Sequence, residues 1–275
     1  MDVTAVRQAI RDLERVFLAD MQALPADAWQ RPSDCEGWTI AGAFIHIVQV
    51  AELLGDSLVR GRAGDPGPPA LAASEGILAW RAARTARQQE ALAQSPAELF
   101  AWYNEATAVI NAELDRIPSA PPDAQGWHPV GPRPLAWVQD QWLFEMALHD
   151  WDIRVALDPA AEVRPEIQAP FGHTLPARLG RGFGGGDDPA LAGTYRVELS
   201  GDPAQTIVLL VGGGTVTTAD DADAAPDATI ATDPSAFGLV VTNRRPVERF
   251  VAAGRWQSGG DTARADGFAR AFKSY

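Results

Sequence analysis

Hydrophobic positions in the first half of the chain recur at helical spacing. Val6, Ile10, Leu13, Phe17, Met21 and Leu24 predict a first helix with one apolar face. A second helix is expected to begin near Thr39, a candidate N-cap, and to run to about 58. It is apolar nearly all round (Ile40, Phe44, Ile45, Ile47, Val48, Val50, Leu53), which predicts a place at the centre of a bundle. The stretch 74–93 reads as helix despite many Arg and Gln residues. The run Ser95-Pro96-Ala97-Glu98 is a capping box with proline at the first helical position, opening a helix to about 117. A Pro-rich loop over 118–134 follows, and then a long helix over 135–157. Helices joined by such loops predict an antiparallel four-helix bundle over 1–157.

The texture changes beyond that point. A Pro/Gly-rich linker is expected over 158–193, holding a short helix around 167–183. Alternating patterns then predict strands at 194–200, 206–211, 215–218 and 229–232, with Gly212-Gly213-Gly214 as a hairpin turn. Asp233-Pro234 opens a helix carrying Phe237, Leu239 and Val240. The segment 250–256 reads as strand or loop, and Asp261 caps a last helix with Phe268 and Phe272 facing inward. This order of elements predicts a small α+β domain over 194–275.

Composition narrows the function. The chain has 275 residues and a formal net charge of −13, from 36 acidic and 23 basic residues. No basic patch stands out, so a nucleic-acid or anionic-membrane partner is not expected. Cys35 is the single cysteine, which excludes an intrachain disulfide and fits a reducing cytoplasm. The N-terminal segment lacks the apolar core of a signal peptide, and no run is as long as a membrane span.

The candidate chemistry lies in four histidines. Glu145, His149 and Asp152 fall on one stripe of a helix, at i, i+4 and i+7, among mostly apolar neighbours. With His46 from the other strongly buried helix they supply two imidazoles and a carboxylate, one of the ligand sets of catalytic zinc. Iron, nickel or manganese would accept the same set. Asp152 is better placed as a partner of His149 or as a base than as a fourth ligand. The plainer readings remain open: core histidines bonded to neighbours, and an ordinary i,i+4 pair. Cys35 is either a packed small residue or a reactive thiol near a helix N-terminus. His128 is expected at the surface or at a pocket mouth, and His173 has no assigned role.

The segment from Arg31 to Ile40 (RPSDCEGWTI), followed by His46, resembles the second-helix entry of the DinB-like bundle in mycothiol-dependent maleylpyruvate isomerases. The run from Glu145 to Asp152 is similar to that family's Glu-x-x-x-His-x-x-Asp signature. The tail, with its 227–232 strand, the following helix and Gly259-Gly260-Asp261, is more loosely similar to the family's sterol-carrier-like α+β domain. The resemblance implies zinc or another divalent metal on His46, Glu145 and His149, and mycothiol or a similar thiol as cofactor. It also implies a thiolate that adds to a cis double bond, permits rotation and leaves the trans isomer; related members transfer a thiol to other electrophiles. An arginine of the C-terminal domain matters in the isomerases, and Arg244 and Arg245 are the candidates here. Extra residues around 60–75 and 118–134 set the chain apart from a minimal isomerase. Two other functions stay open: a metal-dependent hydrolase that uses the same ligands with a metal-bound water, and a non-enzymatic small-ligand binding protein in which the sterol-carrier-like domain holds an apolar ligand and the bundle is structural.

Overall fold

The computed structural model describes residues 2–219 and 225–273. The chain divides into two compact units, Met1–Ala161 and Glu162–Tyr275.

The first unit is helical. Its helices are α1 (Val3–Ala23), α2 (Ile40–Arg62), α3 (Ala70–Glu75), α4 (Ile77–Ala91), α5 (Pro96–Leu114) and α6 (Leu135–Leu157). Helices α1, α2, α5 and α6 pack as the bundle, and α4 lies along α2. The face predicted for α1 is the buried one, from Val6 to Met21, and Leu24 ends as the residue that closes the helix. Helix α2 is long and apolar enough to cross a membrane by length and composition. Yet 72% of its apolar window is buried inside the protein, so its hydrophobicity serves the core. Phe44 anchors that core, with its ring against Phe17, Trp29, Phe100 and Tyr103. At α5 both halves of the capping box form: Ser95 Oγ accepts from the Glu98 amide, and Glu98 Oε2 accepts from the Ser95 amide at 2.8 Å.

Two local expectations needed revision. The helix read over 74–93 is α4, which starts only at Ile77, because Gly76 takes φ +89°, a conformation that interrupts helical geometry and separates α4 from the short α3 before it. The Pro-rich segment 118–134 is more ordered than a plain loop. It carries two short strands, β1 (Gln125–Gly126) and β2 (Arg133–Pro134), paired antiparallel. Strand β1 sits directly on α2 at Gly61, where a side-chain carbon would collide with the backbone of Gln125 and Gly126.

The second unit has two short helices, α7 (Gln168–Thr174) and α8 (Pro176–Gly182), within the segment read as a linker. They pack against later elements of the same unit. A five-stranded sheet follows, made of β3 (Gly193–Leu199), β4 (Gln205–Gly212), β5 (Thr215–Thr218), β6 (Ala228–Thr232) and β7 (Trp256–Gly260) in the order β5-β4-β3-β6-β7. Among the described residues β3 and β6 pair in parallel and the other neighbours in the sheet are antiparallel. Tyr195, Val197 and Leu199 alternate inward along β3, beside Ala228 and Ile230 of β6. The β4–β5 hairpin closes at Gly213 and Gly214, both at positive φ, as a two-residue turn of this hand requires.

Helices α9 (Pro234–Val241), α10 (Val247–Ala252) and α11 (Thr262–Arg270) complete the unit. The segment 250–256, read as strand or loop, is half helix. Val247 and Phe250 are both buried one turn apart on α10, and Gly254, at φ +70°, lets the chain reverse into β7. Asp261 caps α11 as expected, accepting from the Arg264 amide, and Phe268 and Phe272 are buried.

Candidate metal centre

The site is built by α2 and α6 and by the turn that precedes α2. In that turn Ser33 N donates to Trp38 O at 2.9 Å, and Trp38 N donates to Cys35 O at 3.0 Å. Gly37, at φ +78°, closes it. Thr39 then caps α2 through the Gly42 amide at 3.1 Å. The Asp34 amide donates to the backbone carbonyl of Asp152 at 3.1 Å, tying the turn to α6. The RPSDCEGWT segment is thus a folded bracket that fixes where α2 starts relative to the last turns of α6.

Inside this bracket His46, Glu145 and His149 come together. Glu145 Oε2 lies 3.5 Å from His46 Nε2 and 3.4 Å from His149 Nε2. One ligand atom from each residue falls within 4.8 Å of the others. Bonds of about 2.0–2.1 Å to a tetrahedral ion place adjacent ligand atoms about 3.3 Å apart. The two spacings to Glu145 Oε2 are close to that edge, as a small divalent ion requires of those pairs. The side chains of His46 and Glu145 keep 25% and 17% of their exposure, whereas His149 keeps 7% and Asp152 none. The cluster is therefore open to solvent on the His46 side and closed behind His149.

Neighbouring groups hold each donor. Gln141 Nε2 donates to Glu145 Oε1 at 2.6 Å, which leaves Oε2 turned toward the imidazoles. His149 Nδ1 meets Asp152 Oδ2 at 2.9 Å, so Nε2 is the nitrogen left for a ligand role. The Cys35 thiol donates to the same Asp152 oxygen at 3.0 Å and lies 3.5 Å from His149 Nδ1. Trp38 packs against both rings, at 4.8 Å from His46 and 6.1 Å from His149.

The electrostatics follow from two carboxylates buried beside two imidazoles. Burial raises Glu145, but hydrogen bonds from His149 and His46 outweigh it and hold the group well below the usual carboxylate range. Burial lowers His149, yet Asp152, Cys35 and Glu145 together drive it well above its ordinary value. His46 is lowered by its burial, despite Glu145. A proton on His149 thus balances part of the buried negative charge, and a dication would balance more of it.

Of the sequence-level candidates, the structure brings His46, Glu145, His149 and Asp152 into one cluster. Asp152 stands behind His149, not beside the Glu145 oxygen that faces the two imidazoles. Arg244 and Arg245 lie in the second unit, in the turn after α9, where both amides donate to Leu239 O. Gln141 and Trp38 were not picked out from sequence. Gln141 was within reach, being one turn before Glu145 on the same stripe. Nothing in the spacing of Cys35 reveals its bond to a side chain 117 positions away. His128 is buried rather than at the surface. Its ring packs against Trp137 at 4.9 Å, and Nδ1 accepts from the Val130 amide.

The family described as "Mycothiol maleylpyruvate isomerase N-terminal domain" matches residues 10–154. The chain belongs to this family. Residues 189–273 match the SCP-2 sterol transfer family, which accounts for the α+β unit. Among solved structures, the mycothiol-dependent maleylpyruvate isomerase is similar with a TM-score of 0.61 at 12% identity, over 95% of each chain. A histidine-to-alanine mutant of that enzyme gives a TM-score of 0.62 at the same identity and coverage. At that identity the likeness carries the fold. No curated protein matches the chain significantly.

Proposed function

We propose that this protein is a metal-dependent enzyme that uses a low-molecular-weight thiol, mycothiol or one like it. Its reaction is cis–trans isomerisation or S-transfer on a small electrophilic, anionic substrate, in a reducing cytoplasm. The observation that carries this reading is the convergence of His46, Glu145 and His149, with Glu145 Oε2 3.5 and 3.4 Å from the two imidazole Nε2 atoms and a ligand atom of each residue within 4.8 Å of the others. Family membership supports the thiol part of the reading.

His46, Glu145 and His149 would hold zinc or another divalent transition metal. A dication there lowers the pKa of a coordinated thiol and so supplies thiolate at neutral pH. The chain's own residues prepare the site for it. Asp152 fixes the His149 tautomer and steadies the ring. Gln141 orients the Glu145 carboxylate, and Trp38 covers the two imidazoles on one side. Arg244 and Arg245 are proposed to engage an anionic ligand. Replacing each by alanine is expected to raise KM with little change in kcat, and unaltered kinetics in both variants would retire them.

The test is elemental analysis of the purified protein, followed by thiol titration of the cobalt-substituted form. A new thiolate-to-cobalt absorption band is expected. Turnover without added thiol, and no such band, would replace this reading with a hydrolase using metal-bound water.

A further inference from the structure

Helix α4 is tied to α2 on both sides of His46. Gln88 Nε2 donates to Gly42 O at 3.1 Å. Further along, Arg84 Nη1 donates to Gln49 O at 3.1 Å, and Gln49 Nε2 returns a bond to Arg84 O at 3.1 Å. His46 lies between these ties on α2, and Gln49 is three residues beyond it, about 4.5 Å along the helix axis. The Arg84 guanidinium is therefore held about one turn from a residue of the metal centre.

This guanidinium has no carboxylate partner among the described residues. Two acids lie within range of its charge, Glu52 and Glu145. Glu52 is taken by Arg87 through two bonds of 2.6 and 2.9 Å, and by Trp102 Nε1 at 2.6 Å. Glu145 is taken by Gln141 and the two histidines. Arg84 uses only Nη1 within the described protein, which leaves Nε and Nη2 as donors without a protein acceptor. Its position is set nonetheless, since the guanidinium stacks over Trp80 at 4.9 Å, and Trp80 packs edge-on against Trp127 at 5.2 Å. Burial pulls its pKa down to about 10, so it remains a cation at neutral pH. Its charge also depresses His46.

A half-buried, aromatic-backed arginine with free donors beside a metal centre is a carboxylate receptor in its chemistry. We propose that Arg84 binds a carboxylate of the substrate, one helical turn from His46. This rests on the proposed function in that the metal centre is taken as the reaction site; the recognition of a carboxylate by Arg84 does not require the metal.

The experiment is calorimetric titration of the full-length protein with maleate, a small cis-dicarboxylate, with neutral dimethyl maleate as the control. Metal content is measured on the same samples. The unaltered protein is expected to bind maleate more tightly than its ester. Arg84→Gln should weaken maleate binding about tenfold or more, equivalent to about 1.4 kcal/mol, and leave metal content unchanged. Arg84→Lys, which keeps the charge but loses the fork, should fall between the two. Arg81→Gln, an exposed position on the same helix, should match the parent. The proposal is overturned if Arg84→Gln binds maleate like the parent, if Arg81→Gln loses as much, or if the parent binds no maleate. Should Arg84→Gln lose helix content, Arg84→Lys decides, and affinity equal to the parent's rejects forked recognition. Maleate binding that depends on Arg84 in a protein shown to take up no metal would sink the metal centre and leave this inference standing.

Discussion

His149 Nδ1 lies 2.9 Å from Asp152 Oδ2, one helical turn further along α6. That contact commits one face of the imidazole to the protein and directs Nε2 toward Glu145. A carboxylate behind a ligating histidine orients the ring and makes it a better donor.

If the cluster is a metal centre, His46→Ala and His149→Ala should each abolish stoichiometric metal in the purified protein. Far-ultraviolet circular dichroism should stay close to the parent's, because the bundle's core is built from other residues, such as Phe44 and Trp142. Unchanged metal content in either variant would remove that residue from the ligand set.

Asp152→Asn should weaken metal binding about 10- to 100-fold, the usual effect of losing a partner of this kind. Competition with a chelator of known affinity measures it. Cys35→Ala should act in the same direction by less than about tenfold, since a thiol is a weak donor. An equal or larger loss in Cys35→Ala would mean that the thiol does more than brace Asp152.

Glu14 provides a pH test away from the site. It is buried in the bundle, where it accepts from Trp142 Nε1 at 2.8 Å and Asn111 Nδ2 at 2.7 Å. Burial outweighs these bonds and raises its pKa from 4.5 to about 7. The folded state therefore holds this proton more tightly than the unfolded one. The resulting stability is fully present below pH 4.5 and is lost as pH rises through 7, a change of about 3 kcal/mol. Urea unfolding at pH 5 and pH 8 should show the parent losing stability relative to Glu14→Gln as pH rises. Parallel behaviour of the two proteins would contradict the burial argument.

Gly61→Ala tests the contact between α2 and β1. Helix propensity alone favours alanine there by about 1 kcal/mol. The new carbon would strike the backbone of Gln125 and Gly126, which cannot rotate aside as a flexible side chain can. A net loss of about 1–2 kcal/mol is expected in denaturant unfolding. A more stable variant would show that the strand moves away freely.

Periodicity, capping residues and glycine placement were enough to read the four helices of the bundle and strands β3 to β6 from the chain itself, while β7 was not read. These signals are local: Ser95 with Glu98, Thr39 ahead of α2 and the apolar face of α1 each act within a few residues. The helical stripe of Glu145, His149 and Asp152 is local in the same sense, and it marked half of the candidate site. Only the tertiary structure decided that His46 closes the set, that the Cys35 thiol reaches Asp152, and that Arg84 stands about one turn from His46 without an acid of its own among the described residues. Each depends on how two elements pack, and side chains distant in sequence meet only once burial and backbone hydrogen bonding have fixed the register between helices. The break at Gly76 and the helix at Val247–Ala252 were missed for a smaller reason of the same kind. Single residues there set the backbone path, and their effect is settled by the packing of neighbouring turns rather than by the pattern of hydrophobic positions.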